Sequence, residues 1–166
     1  MGFLDLRVKK KYPVFLLCIV ILSALLFPVH VFTIMDEKTG RRIHSERVSS
    51  GDRFEIHYIH SVEHMNVIGV FSINDQYKIE PLETIFPSYG AGMPFLSRDE
   101  APVGEKGNMI IKHQGIELQD LKIFISEITK QKIIFKDSRV FLYKRIQDGG
   151  IAALAVRRTP LLLTLL

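Results

Sequence analysis

The chain opens with apolar residues in an unbroken run and then changes to short alternating stretches. Pro13 to Ile34 reads PVFLLCIVILSALLFPVHVFTI, 22 residues without Asp, Glu, Lys or Arg. A helix of about 20 apolar residues crosses a bilayer core of ~30 Å, so the run predicts a transmembrane helix. Pro28 interrupts it. The helix either starts before Pro13 and ends at Phe27, or continues with a kink to Ile34 and leaves His30 at the outer interface. Beyond Ile34 the pattern is that of strands. Residues 30–36 and 41–48 flank the turn Glu37-Lys38-Thr39-Gly40. From Arg53 to His60, Phe54, Ile56, Tyr58 and His60 point one way, and Arg53, Glu55 and His57 the other. Met65–Ile73 and Tyr77–Phe86 are separated by Asn74-Asp75, and Met109–His113 and Ile116–Leu118 by Gln114-Gly115. Leu121–Ser126, Lys132–Lys136 and Arg139–Arg145 complete eight or nine strands. Glu117–Thr129 has a second reading as a short helix, because Leu118, Leu121 and Ile125 recur at helical spacing.

These short, regularly spaced strands predict a mainly β fold, a small antiparallel sandwich or barrel, preceded by one N-terminal transmembrane helix. The expected organisation is a basic segment and anchor over 1–34, a β-rich domain over 35–150 and an apolar tail over 151–166. The tail reads IAALAVRRTPLLLTLL. It is either a last strand tucked into the core or a surface that docks on a membrane protein or the bilayer.

Composition narrows the class. With 47% hydrophobic and 24% charged residues in 166, the chain has enough apolar surface for a single folded domain. A single cysteine excludes a disulfide framework and a cysteine-rich zinc module. The net charge of +4 is concentrated at the start, where Arg7, Lys9, Lys10 and Lys11 outweigh Asp5. The rest is near neutral, which removes the case for nucleic acid. Under the positive-inside rule this cluster keeps the N-terminus cytoplasmic and places the domain in the periplasm or outside the cell, anchored in the cell (inner) membrane. A cleaved leader needs small residues at its cleavage site. Ser23-Ala24 falls inside the apolar run, and Leu16-Leu17 before Cys18 are too large for a lipoprotein signal.

Two stretches carry candidate chemistry. The first is His57-Tyr58-Ile59-His60-Ser61-Val62-Glu63-His64. His60, Ser61 and Glu63 are residue types of a hydrolase triad, but neighbours on a strand face opposite ways and no G-x-S-x-G elbow occurs. His57, His60 and His64 lack the convergence that zinc requires, even with Glu83 near. The second stretch is Pro87-Ser88-Tyr89-Gly90-Ala91-Gly92-Met93-Pro94, which opens a loop running to Gly107. Gly90 and Gly92 either present backbone N–H groups to an anion or serve a tight turn needing positive φ. No catalytic residue, metal or cofactor is assigned. His60 is expected to be buried beside Phe54, Ile56 and Tyr58, paired with Glu63, Glu83 or a loop carbonyl. With Ser61 and Glu63 it would brace the Gly90–Pro94 loop.

His60-Ser61-Val62-Glu63 followed by Gly90-Ala91-Gly92-Met93-Pro94 resembles the domain-of-unknown-function family eighteen-fifty, over most of residues 35–145. Its members are small single-anchor proteins whose genes commonly lie beside TAXI-type TRAP transporters. The resemblance implies a membrane-anchored accessory subunit or assembly partner of such a transporter. Its partners would be the permease subunits, with the solute-binding protein as a further candidate, and the lipid bilayer. The interaction residues would be His60, Ser61, Glu63, Glu83, Gly90, Ala91, Gly92, Met93 and Pro94. The alternative is an extracytoplasmic ligand-binding sensor that captures an anion at Gly90–Pro94.

Overall fold

The computed structural model describes residues 11–87 and 108–164. One helix, α1 (Lys11–Leu26), leads into ten strands among the described residues. They are β1 (Pro28–Asp36), β2 (Arg42–Arg47), β3 (Arg53–Ile59), β4 (Asn66–Ile73), β5 (Ile79–Phe86), β6 (Met109–Lys112), β7 (Asp120–Phe124), β8 (Lys132–Phe135), β9 (Ser138–Phe141) and β10 (Ile151–Pro160). All neighbours are antiparallel, in a four-stranded sheet ordered β2-β1-β10-β7 and a six-stranded sheet ordered β6-β5-β4-β3-β8-β9. The expectation of a mainly β antiparallel fold holds, and of its two forms, sandwich or barrel, the strands take the two-sheet one.

The apolar run at the start is divided rather than continuous. α1 has 16 residues, about 24 Å of helix, and no helix among the described residues is long and apolar enough to cross a membrane. Pro28 is the divider. It has no N–H to give the preceding turn, and Val29, Val31 and Thr33 beyond it are β-branched residues that favour extended backbone. β1 therefore starts at Pro28, and His30 lies in the domain, its ring stacked on Tyr77 at 3.4 Å between centroids. The domain also reaches past the expected limit at 150. β10 lies between β1 and β7, with Ala152, Leu154 and Val156 buried. The first of the two readings of the tail is thus the observed one for 151–160.

Alternation explains the core. Phe32, Ile34, Ala152, Leu154 and Val156 from one sheet meet Phe54, Ile56, Ile73, Ile133, Phe135 and Val140 from the other. Phe32 sits between Phe54 and Phe135, with ring centroids 4.8 and 5.2 Å away. Leu121 and Ile123 pack on the same cluster from β7, so 120–124 is strand and not helix. Ile116–Leu118 forms no strand, only an isolated bridge between Leu118 and Ile79. The β1–β2 turn is closed by Asp36, which accepts hydrogen bonds from the Thr39 hydroxyl (2.7 Å) and the Lys38 N–H (3.1 Å). These bonds, with the nearby Arg41 charge, hold its carboxyl below the usual range.

Gly69 faces inward in β4 because Phe71 occupies its space. A Cβ there would stand 2.8 Å from Phe71 Cε2, and the Phe71 ring is itself stacked on Phe54 at 5.1 Å. Gly69→Val is expected to cost about 1–3 kcal/mol through displacement of this ring, read as a lower denaturation midpoint.

Candidate functional site

β3 ends at Ile59, and the histidine-rich stretch forms the reversal into β4. His60 N–H donates to Met65 C=O (2.8 Å), and His64 N–H donates to His60 C=O (2.9 Å). His64 takes φ +52, which closes the turn. His60 Nδ1 accepts the Glu63 N–H at 3.3 Å, so the neutral ring carries its proton on Nε2. This corrects the expectation of a buried His60 on the inner face. It lies one residue beyond the strand, half-buried, with the Glu63 main chain as partner. Ser61 is exposed and Glu63 half-buried.

Register keeps Glu83 away from this turn. Glu83 faces Val70 and Lys112 on the outer side of the six-stranded sheet, and its row crosses β3 at Glu55. His60 is five residues further along, roughly 17 Å at strand rise. His57 also faces outward, with Nε2 2.6 Å from Glu55 Oε2. Among the described residues no group of three or more His, Cys, Asp or Glu is placed to hold a metal. The Gly90, Ala91, Gly92, Met93 and Pro94 positions lie outside the described residues. The strands that flank them do not: Phe86 faces Met109, and both are buried with Val67 against Tyr58, Met65 and Ile111. That cluster lies beneath the His60–His64 turn, so the chain from 87 to 108 departs and returns at the same end of the domain as the turn.

This end is remote from α1. At the foot of the helix, β1 meets the β4–β5 turn through the His30–Tyr77 stack, whereas the β3–β4 turn is at the opposite ends of those strands. β10 runs from Ile151, opposite Phe124, to Pro160, opposite Pro28, about 30 Å. The remote end carries several exposed apolar residues that the sequence reading missed, and the most exposed of them are Val62 (65% exposed), Phe124 (63%) and Ile128 (65%). Ile59 N–H donates to Thr129 C=O at 2.7 Å, which ties the β3 end to the β7–β8 loop and holds these tips on one framework. Isolated apolar residues inside polar turns give no periodic signal, although a valine at the tip of a histidine-rich turn is an unusual choice.

Between this end of the six-stranded sheet and β7 lies an open cleft of about 430 Å³, lined chiefly by Ile56, Tyr58, Phe71, Leu121, Ile123 and Phe124 around Gly69. Burial raises the Tyr58 phenol pKa above its usual value. At its margin Thr84 Oγ1 and His113 Nε2 are hydrogen-bonded at 2.9 Å. Apolar walls with few polar groups suit an apolar side chain or a small amphipathic molecule.

A family model described as a domain of unknown function (DUF1850) matches residues 54–142. The match runs from β3 through β9, which includes every strand of the six-stranded sheet. No curated protein and no solved structure matches the chain.

Proposed function

The chain belongs to the DUF1850 family, and from that premise we propose that it is a membrane-anchored accessory subunit or assembly partner of a TAXI-type TRAP solute transporter. It works by protein–protein contact, without a reaction of its own. The supporting observation is the separation of two apolar surfaces, α1 at one end and Val62, Phe124 and Ile128 at the other. From Pro13 to Leu26 α1 carries no charged side chain, and its Ser23 hydroxyl donates to the Val20 C=O, which satisfies that polar group within the helix. In this reading α1 lies in the cell membrane, the N-terminus is cytoplasmic, and the β domain is periplasmic or extracellular. Only Phe27 separates α1 from β1. So short a tether keeps the domain beside the permease at high effective concentration, and modest contacts at the remote end suffice. There the exposed tips meet the permease subunits and the solute-binding protein. The His60 N–H, carbonyl and Nδ1 are engaged in closing the turn, in keeping with a scaffold for contact.

The cleft beside Tyr58 favours a second reading, an extracytoplasmic ligand-binding sensor. The two are separated by a mild-detergent pull-down of the full-length protein from native membranes. Permease subunits in near-stoichiometric amount are expected with the unaltered chain. Each buried Val or Ile contributes about 1.5–3 kcal/mol, so Val62→Ser with Ile128→Ser is expected to weaken association by more than about tenfold. A solitary protein in both cases would favour the sensor.

A further inference from the structure

We propose that the turn following β10 is a second membrane contact, an apolar wedge of Leu162 and Leu163 backed by an arginine belt that seats the foot of the domain on an anionic bilayer surface. This rests on the membrane anchoring proposed above. The strand register places the wedge. Pro160 lies opposite Pro28, so the chain leaves β10 beside the helix foot, where Leu161 N–H donates to Phe27 C=O at 3.0 Å. The short 3-10 turn Leu161–Thr164 packs against α1. Leu162 and Leu163 stay 41% and 47% exposed, next to Leu26 at 55% and Phe27 at 65%. Large apolar side chains thus form a collar where the helix joins the domain.

The charge pattern above the collar identifies its occupant. Arg158 faces His30, and in the next row Arg157, Val31 and Arg47 lie side by side. These rows stand roughly 7–10 Å from Pro28, and all three arginines are exposed. The Asp120 carboxylate is 3.6 Å from Arg157, and both are well exposed, so that pair competes weakly with phosphate. An apolar rim followed by guanidinium groups matches the order of a bilayer boundary, acyl chains and then phosphates. A sunken collar also adds apolar depth to α1, whose about 24 Å falls short of the ~30 Å hydrocarbon core.

The chain contains no tryptophan, so each introduced tryptophan is the sole indole reporter. Full-length Leu163→Trp and, separately, Leu162→Trp are placed in nanodiscs of phosphatidylcholine and phosphatidylglycerol, with or without brominated acyl chains. Blue-shifted emission and loss of most of it to bromine are expected for both, while Phe124→Trp at the remote end keeps its emission. Leu17→Trp in α1 reports the anchoring itself. Quenching at position 17 without quenching at 162 and 163 overturns the wedge alone. Quenching at none of the three overturns the anchoring and the wedge together. Blue-shifted but unquenched emission at 162 and 163 means that protein covers the turn, which also overturns the proposal. In the Leu163→Trp chain, Arg157→Gln with Arg158→Gln is expected to reduce the quenching, and unchanged quenching removes the belt from the contact.

Discussion

Ending the chain after Gly150 is expected to abolish folding. β10 is an interior strand, paired with β1 from Ala152 to Pro160 and with β7 from Ile151 to Ala155. Its loss strips β7 of its only partner among the described strands and opens one edge of β1. It also removes Leu154 and Val156 from the core and uncovers Phe32 and Ile34. At about 1.5–3 kcal/mol for each such side chain, the loss is roughly 6–12 kcal/mol, as large as the whole stability of a typical domain, about 5–15 kcal/mol. Circular dichroism on heating, in mild detergent, is expected to show one cooperative transition for residues 1–166 and none for 1–150. Cooperative melting of the shortened chain would mean that 151–166 is an appendage.

Phe32→Ala is expected to be the most costly single substitution in the inter-sheet core. Phe32 is fully buried and its ring touches both Phe54 and Phe135, so truncation leaves a cavity that two facing sheets cannot both close. Comparable changes cost about 3–5 kcal/mol. With a urea dependence of about 1–3 kcal/mol per molar, the midpoint is expected to fall by roughly 1–5 M with an unchanged slope. Val62→Ser, on an exposed turn, is expected to stay within about 0.5 kcal/mol. That contrast is useful: it lets a lost association at Val62 be read as a lost contact rather than a lost fold.

The strands with strict alternation were readable from sequence for a direct reason. Phe54, Ile56 and Tyr58 in β3 face one buried side, so burial imposes period two on the residues. β10 was ambiguous because Ala152, Ala153 and Ala155 are small and weak strand formers, and its place in the sheet comes from partners more than 100 residues away in β1. The first apolar run concealed a change of structure at Pro28, since a helix apolar all round and a strand largely buried on both faces read alike. At the site, the His57–His64 stretch was legible as a local polar cluster, but the turn at His60 was not, because the alternation of β3 reads on through that residue. The position of its supposed partner Glu83 was not legible either, because cross-strand register decides which residues meet and leaves no local trace. Val62 lies in the β3–β4 turn, whereas Phe124 and Ile128 flank the start of the β7–β8 loop some sixty residues later, so their place at one end of the domain follows from strand pairing and not from any local pattern.

The most direct test of a contact role at the remote end is site-specific photo-cross-linking in native membranes. A photoreactive residue at Ile128 of the full-length protein is expected to give one dominant adduct with a TRAP transporter subunit, reduced when Val62→Ser is added. Absence of any adduct from Ile128, in membranes that contain the complete transporter, would contradict that role.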